Sequence, residues 1–337
     1  MFVIAIHGGA GLSTPSDLGI EREIEARKAL QQSLEAGHKV LARGGSATDA
    51  VVAAVKVLED SPMFNAGHGS VLASDGACYM DASLMDGEEM KAGALCGSTQ
   101  IKNPIVAAKA IMDTTPYVML FGEDLARFAR EQELEMKDPS YFLTPYRQEQ
   151  LVEAKRENTI ILDHEKASKA MNKTKKQRAD NNKGTVGAVA LDSFGNLAAA
   201  TSTGGLCNKA PGRIGDSAVI GAGTYAKNST CAVSATGQGE LFIRANVAGR
   251  LSAMIEFSPQ PNTSQTMIDA ADRIVWKELP EDVGGVIAVD RHGTVTLPFN
   301  TGGMFRGHMA DDAVPHVAVW TETVEKEQLE IIAQHTK

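Results

Sequence analysis

The segment Asn182-Lys183-Gly184-Thr185-Val186-Gly187-Ala188-Val189-Ala190-Leu191-Asp192 carries a charged stretch directly into an apolar run, and the change falls at a threonine. A threonine hydroxyl is a weak nucleophile unless a base stands beside it. Cleavage between Gly184 and Thr185 would free an α-amine, with an unperturbed pKa of about 7.7–8.0, on the same residue as the hydroxyl. Glycine on the leaving side admits backbone conformations that let the hydroxyl reach the preceding carbonyl. The competing reading is a strand that happens to begin with Thr after a loop. What precedes the segment favours a cut: from Glu165 to Lys183 there are seven Lys/Arg and two Asp/Glu, inside a chain of net charge −9. Such a block is expected to form a flexible basic linker, over about 157–184, that exposes the bond.

Downstream of the threonine the pattern is strand, turn, strand: Val186–Leu191, the turn Asp192-Ser193-Phe194-Gly195-Asn196, then Leu197–Ser202. Further strands are expected at Ala218–Ile220 and Thr230–Ser234, helices over about Glu240–Ile255 and Thr266–Glu278, and a closing hairpin from Gly285–Asp290 and Thr294–Pro298. Upstream, the apolar run Met1–Ile6 ends at His7-Gly8-Gly9, too short for a signal peptide or a membrane span, and reads as the first buried strand. Residues 21–43 show apolar positions at helical spacing; Gly44-Gly45-Ser46 ends that helix, and Thr48-Asp49 opens another that runs to about Glu59. The alanine- and valine-rich face of this second helix suits close packing on a sheet. Pro104–Met112 and Glu123–Glu133 read as helices, and Ser70–Asp86 contains short strand-like runs. The expected fold is α/β: two sheets stacked face to face and covered by helices, an αββα sandwich formed jointly by residues 1–184 and 185–337.

Hydrophobic residues make up 43% of the 337 and charged residues 22%, the balance of a globular protein with a substantial core. The negative charge, a pI near 5.4 and an aromatic content of only 5% argue against nucleic acid as a partner and leave a small-molecule substrate as the default. Cys78, Cys96, Cys207 and Cys231 lack C-x-x-C spacing, so they read as reduced thiols of a cytoplasmic protein. There is no dinucleotide fingerprint in strand–helix context and no phosphate-binding loop, so no organic cofactor is expected.

The chemistry-bearing residues gather after the presumed cut. Thr201-Ser202-Thr203-Gly204-Gly205 ends the second strand of the hairpin, which would bring Thr203 beside Thr185; the alternative is a β-branched residue chosen for strand propensity. Pro211-Gly212-Arg213-Ile214-Gly215-Asp216 sets a guanidinium and a carboxylate three residues apart, able to hold the carboxylate and ammonium of an amino-acid head, or simply to pair with each other at the surface. Ala235-Thr236-Gly237-Gln238-Gly239-Glu240 follows a strand and opens a helix, where backbone N–H groups can stabilise an oxyanion. Upstream, Leu58–Gly69 is a proline- and glycine-punctuated loop able to turn several carbonyls inward, a donor set for a hard alkali cation, or else a tight connector. His7 and His68 have no G-x-S-x-G elbow to serve, which disfavours a Ser/His mechanism.

Taken together, His7-Gly8-Gly9-Ala10-Gly11, Phe64-Asn65-Ala66-Gly67, Met80-Asp81-Ala82, Gly184–Asp192, Thr201–Gly205, Gly212–Asp216 and Thr236–Glu240 closely resemble the plant-type L-asparaginase and isoaspartyl peptidase family, in family order from residue 4 to about residue 307. The family belongs to the N-terminal nucleophile (Ntn) hydrolases. The resemblance implies a four-layer αββα precursor that cleaves itself into an α subunit ending at Gly184 and a β subunit beginning at Thr185, paired as (αβ)2. It implies Thr185 as nucleophile and base, Thr203 as its support, and Thr236 with the Gly237 N–H as the oxyanion hole. Asn65 approaches from the α subunit, Arg213 and Asp216 clamp the substrate's α-carboxylate and α-amine, and the Gly239 carbonyl is a further amine contact. It also implies a structural sodium held by the carbonyls of Leu58, Glu59, Ser61, Phe64, Ala66 and His68, with His68 standing where an apolar residue is expected. The implied substrates are L-asparagine and β-aspartyl dipeptides. Glycosylasparaginase is similar in nucleophile and clamp but acts in lysosomal or secreted settings, and the threonine aspartase branch cuts proteins; the compact Asn208–Arg213 loop is closer to the small-substrate enzymes. An uncleaved homologue acting as a binding protein is opposed by the presence of every expected catalytic residue.

Overall fold

Strand β1 (Val3–Leu12) is buried along both faces. Val3 and Ala5 enter one apolar layer while Ile4 and Ile6 enter another, as the alternation of a strand dictates. In this computed structural model, which describes residues 1–157, 184–260 and 263–335, β1 sits inside an eight-stranded sheet. The order is β12 (His316–Trp320), β11 (Gly303–Ala310), β1, β5 (Val186–Leu191), β6 (Leu197–Thr203), β2 (Met80–Asp86), β3 (Ala92–Ser98) and β4 (Met119–Phe121). Only the β3–β4 pair is parallel. A four-stranded antiparallel sheet, β10 (Val295–Thr296), β9 (Gly284–Asp290), β8 (Cys231–Gly237) and β7 (Thr224–Ala226), stacks on its inner face.

After a single turn, α1 (Pro15–Leu18), helices α2 (Ile20–Ala42), α3 (Ala47–Asp60) and α4 (Pro104–Thr114) cover the outer face of the large sheet. Leu30, Leu34, Val51 and Val55 are fully buried there, each worth about 1.5–3 kcal/mol of apolar transfer. The Ser46 hydroxyl accepts from Asp49 N at 3.1 Å and starts α3 after the glycine break. Helices α5 (Gly122–Glu131) and α6 (Pro145–Arg156) follow. Beyond the second sheet, α7 (Gly239–Ala245), α8 (Val247–Glu256) and α9 (Ser264–Arg273) close the fourth layer over Val233, Val286 and Ala288, and α10 (Glu322–His335) comes last. The architecture is therefore the αββα sandwich expected from the sequence. Strand β1, from before residue 184, lies between β11 and β5, from after it, so both segments build the same sheet. The basic linker expected over about 157–184 lies outside the described residues except at its ends.

Several local expectations change. Ala218–Ile220 is not a strand: residues Asp216–Ala218 form a 3-10 turn, and the next strand is β7. The helix expected over 240–255 breaks at Asn246, which adopts a left-handed φ of 49°, because Ala248 and Gly249 donate their N–H groups to the carbonyls of Ala222 and Gly221. The helix expected to reach Glu278 ends as α9 at Arg273 and passes into a wide turn, Ile274–Glu278, whose Val275 carbonyl accepts from the Asn300 side chain. The hairpin at 285–298 does not close the chain; β11 follows and pairs with β1 on its edge side, between β1 and β12.

Candidate active site

Strand β5 begins at Val186 and β6 ends at Thr203, so their antiparallel register, with Val186 opposite Ser202, sets Thr185 and Thr203 at one end of the hairpin. Their hydroxyls are 3.2 Å apart. The Thr203 oxygen also accepts from Gly205 N at 3.0 Å, which fixes its lone pairs and leaves its proton free to be given. Thr185 is 8% exposed and Thr203 3%, so the first is the more open of the two. Alternation sends Ser202 to the opposite face, where it donates to the buried carboxyl of Glu59 at 2.6 Å. Burial pushes that carboxyl up to about 8, against the hydrogen bonds from Ser202 and the Ile105 N–H. Glu59 thereby ties α3 to the strand that presents Thr203.

Asn65 bridges the two segments. Its amide donates to the Gly205 carbonyl at 2.7 Å, its oxygen accepts from Val71 N, and its own carbonyl accepts from Gly204 N. The side chain thus braces the Gly204–Gly205 turn, while its backbone lies against Gly184 on the leaving side of the expected cut. On the second sheet, Ser234 and Thr236 share the face of β8 turned toward the large sheet. Ser234 meets the His7 ring at 2.9 Å, and the Thr236 hydroxyl accepts from Ala10 N at 3.3 Å, keeping its own proton to donate. Gly237 follows at the end of β8.

Arg213, Asp216 and Gly239 converge. A side chain on Gly239 would collide with the Asp216 carboxyl and the Arg213 guanidinium at once, at 2.9 and 3.0 Å. The two charged residues do not pair with each other, as the surface reading had it: Nε and Nη2 of Arg213 both reach Glu240 Oε1 at 2.9 Å. Burial works against the Glu240 charge, but the Arg213 contact outweighs it and holds this carboxyl below the usual range. Asp216 is buried, and its Oδ2 has no hydrogen-bond partner among the described residues. Burial pushes its carboxyl up to about 7, opposed by nearby Arg213 and reinforced by Glu240 and Asp81. Asp81 is the direct cross-strand neighbour of Thr203, which links the charged group to the threonine pair. Glu240 and His7 were visible in the sequence only as members of motifs, with no role of their own; their partners lie 27 and 227 residues away. The His7–Ser234 contact is no serine nucleophile, since both side chains are fully buried.

A family model described as asparaginase matches residues 1–319. This chain belongs to that asparaginase family. Isoaspartyl peptidases of Salmonella typhimurium and Escherichia coli are each 44% identical over 322 residues, covering 95% of this chain and 99% and 96% of theirs. A plant-type L-asparaginase of Pyrobaculum calidifontis is 38% identical over 307 residues, 91% of this chain and 96% of its own. No helix among the described residues is long and apolar enough to cross a membrane.

Proposed function

We propose that this chain is an autoprocessing amidohydrolase that hydrolyses β-aspartyl dipeptides and L-asparagine through an N-terminal threonine, releasing L-aspartate. The observation that carries it is the 3.2 Å contact between the Thr185 and Thr203 hydroxyls, at the hairpin end whose cross-strand neighbour Asp81 adjoins the Arg213–Asp216 group. In the first reaction the Thr185 oxygen attacks the Gly184 carbonyl carbon, the Gly184–Thr185 C–N bond breaks, and water releases the resulting ester to leave a free α-amine. In the second, that amine takes the hydroxyl proton as Thr185 attacks the side-chain carbonyl of the substrate. The C–N bond to ammonia or the leaving amino acid breaks, and water releases aspartate from the ester. Thr203 orients the nucleophile; Thr236 and the Gly237 N–H stabilise the oxyanion. Arg213 holds the α-carboxylate, while Asp216 and the Gly239 carbonyl receive the α-ammonium. Asn65 holds the turn next to the cut.

The names of the relatives, isoaspartyl peptidase and L-asparaginase, support this substrate class. We further infer an (αβ)2 assembly, no nucleic-acid partner, and a cytoplasmic setting, the last supported by four buried free thiols. The sodium site fits the residues present. Side chains on Gly67 and Gly69 would overlap the Glu59 and Phe64 carbonyls, so the loop curls onto these oxygens, and each carbonyl offers two lone pairs of hard donor chemistry. Leu58, Glu59, Ser61, Phe64, Ala66 and His68 would hold the ion through their carbonyls, and the ion would supply rigidity to the loop that carries Asn65. Exchange of sodium for choline at constant ionic strength should lower Tm. The function is tested by intact mass under denaturing conditions followed by incubation with a β-aspartyl dipeptide. Two fragments meeting between Gly184 and Thr185, with aspartate released, are expected; one unbroken species without turnover would overturn the reading.

A further inference from the structure

Thr185 sits just outside the ladder that should hold it. The last pairs around the start of β5 are His7 with Gly187 and Val186 with Ser202. A strand end of this kind frays once the chain is cut in front of it, because only ladder bonds restrain it. The Thr185 carbonyl has a side-chain anchor instead: Nδ1 of His7 lies 2.9 Å away. A carbonyl only accepts, so Nδ1 must carry the proton. The ring is fully buried, and burial, the largest influence, drives its pKa down to about 3 despite the Thr185 contact, so Nε2 is a bare acceptor.

That tautomer is imposed from the other side. Nε2 faces the Ser234 hydroxyl, which must therefore donate to it. With its only proton committed, Ser234 accepts from Thr201 at 2.7 Å, Thr201 accepts from Thr224 at 2.5 Å, and Thr224 accepts from Ser83 at 2.7 Å. The tautomer fixes two of these directions: Ser234 donates to His7, and Thr201 donates to Ser234 in preference to the Gly223 carbonyl, which it also reaches at 3.1 Å. At its far end, the Ser83 hydroxyl also lies 2.6 Å from the Ser217 carbonyl, next to Asp216. All six side chains in the series from Ser83 through His7 to Thr185 are buried between the sheets. A side chain on Gly187 would overlap both His7 Nε2 and the Ser234 hydroxyl, so the residue two places after the nucleophile leaves the room this bond needs.

We propose that His7 is a positioning residue for the nucleophile, acting through the Thr185 carbonyl, with the Ser234 hydroxyl, itself held by Thr201, setting its tautomer. After the cut, this bond holds in place the one residue that carries both hydroxyl and base, and the series joins it to the loop of the substrate clamp. The kinetic consequence rests on the function proposed above; the hydrogen-bond direction does not.

The test compares His7→Phe, His7→Asn and Ser234→Ala. Phenylalanine removes the donor, asparagine keeps an N–H where Nδ1 stood, and alanine frees the tautomer. His7→Phe should lower kcat by about 10- to 100-fold, the range for a displaced reacting group, with KM for the dipeptide changed far less. His7→Asn should recover most of that loss, and Ser234→Ala should fall between. Wild-type kcat in His7→Phe, or a His7→Asn enzyme as slow as His7→Phe, would overturn the proposal. Variants that fail to fold leave the second measurement, 15N NMR of histidine-labelled wild-type chain. His7 should show a protonated Nδ1 and a bare Nε2, unchanged from about pH 8 to pH 5; an Nε2–H tautomer, or titration near the ordinary histidine value, would overturn the proposal. A wild-type chain that binds and cleaves nothing would count against the function, and the NMR tautomer would still decide the contact.

Discussion

The surroundings of Thr185 and those of Asp216 are built on opposite plans. Around the threonine the polar groups are neutral and matched: His7, Ser234, Thr201, Thr203, Gly205 N and Asn65 form a hydrogen-bonded set in which donors and acceptors have taken sides. Around Asp216 the groups are charged and incompletely matched. Arg213 turns two donors to a single oxygen of Glu240, the other Glu240 oxygen is buried without a hydrogen-bond partner among the described residues, and so is Oδ2 of Asp216. A matched network fixes position at modest cost, whereas unmatched buried carboxylates cost stability unless a ligand completes them. The first plan suits a group that must not move between turnovers; the second suits one that waits for an ammonium and a carboxylate.

The sharpest way to break the comparison is at the matched end. Thr185→Ala removes nucleophile, base and cleavage together, and turnover of a β-aspartyl dipeptide should fall by about 10⁴-fold or more, with the chain remaining one species by mass. A Thr185→Ala protein that still divides at Gly184 would sink self-cleavage. Arg213→Met acts at the unmatched end and should still be cut. Its kcat/KM should fall by about 100-fold, the cost of truncating one member of a buried charge pair with a bound carboxylate. If Arg213→Met instead blocked cleavage and left KM alone, the two regions would not be separable.

The matched end was the more legible in the sequence. An apolar run after a charged block, a two-strand register and a Thr on each strand at the open end of the hairpin are local facts, and they were enough to bring Thr185 to Thr203. Helices α2 and α3 were legible for the same reason, with a glycine pair between two periodic stretches. Elements decided by distant contacts were not. Ala218–Ile220 has strand-like composition, yet Asp216 accepts from the Val219 and Gly223 N–H groups and curls the chain into a turn. Strand β11 reads Gly-Met-Phe-Arg-Gly-His-Met-Ala, without clean alternation, and its register on β1 shifts between His7 and Gly9. The choice of Glu240 over Asp216 as partner of Arg213 depends on where α7 docks, which no spacing in the sequence encodes.

Smaller effects sharpen the contrast through pH. Asp216 must be ionised to receive an ammonium, and burial has moved its carboxyl up to about 7. kcat/KM should therefore fall as pH drops below about 7, approaching tenfold per unit, in a profile that Arg213→Met should not create on its own. A flat profile between pH 5 and 8 would mean that Asp216 keeps its charge or does not bind the amine.

The stability consequence runs the other way. Because the folded value lies above the unfolded value near 3.8, the folded state holds the proton more tightly. The resulting stability is fully present below the unfolded pKa and is lost as pH rises through the folded one. Above pH 7, then, the folded protein carries a buried carboxylate with one oxygen lacking a hydrogen-bond partner among the described residues. Asp216→Asn abolishes that charge at every pH, so its Tm should exceed that of the wild type by a few degrees at pH 8, and the difference should shrink toward pH 5. Substrate turnover should be lost in the same variant. A residue whose removal stabilises the fold while abolishing activity is maintained for its ligand; an Asp216→Asn protein with lower Tm at pH 8 would show instead that this carboxylate is matched, and that the two regions follow one plan.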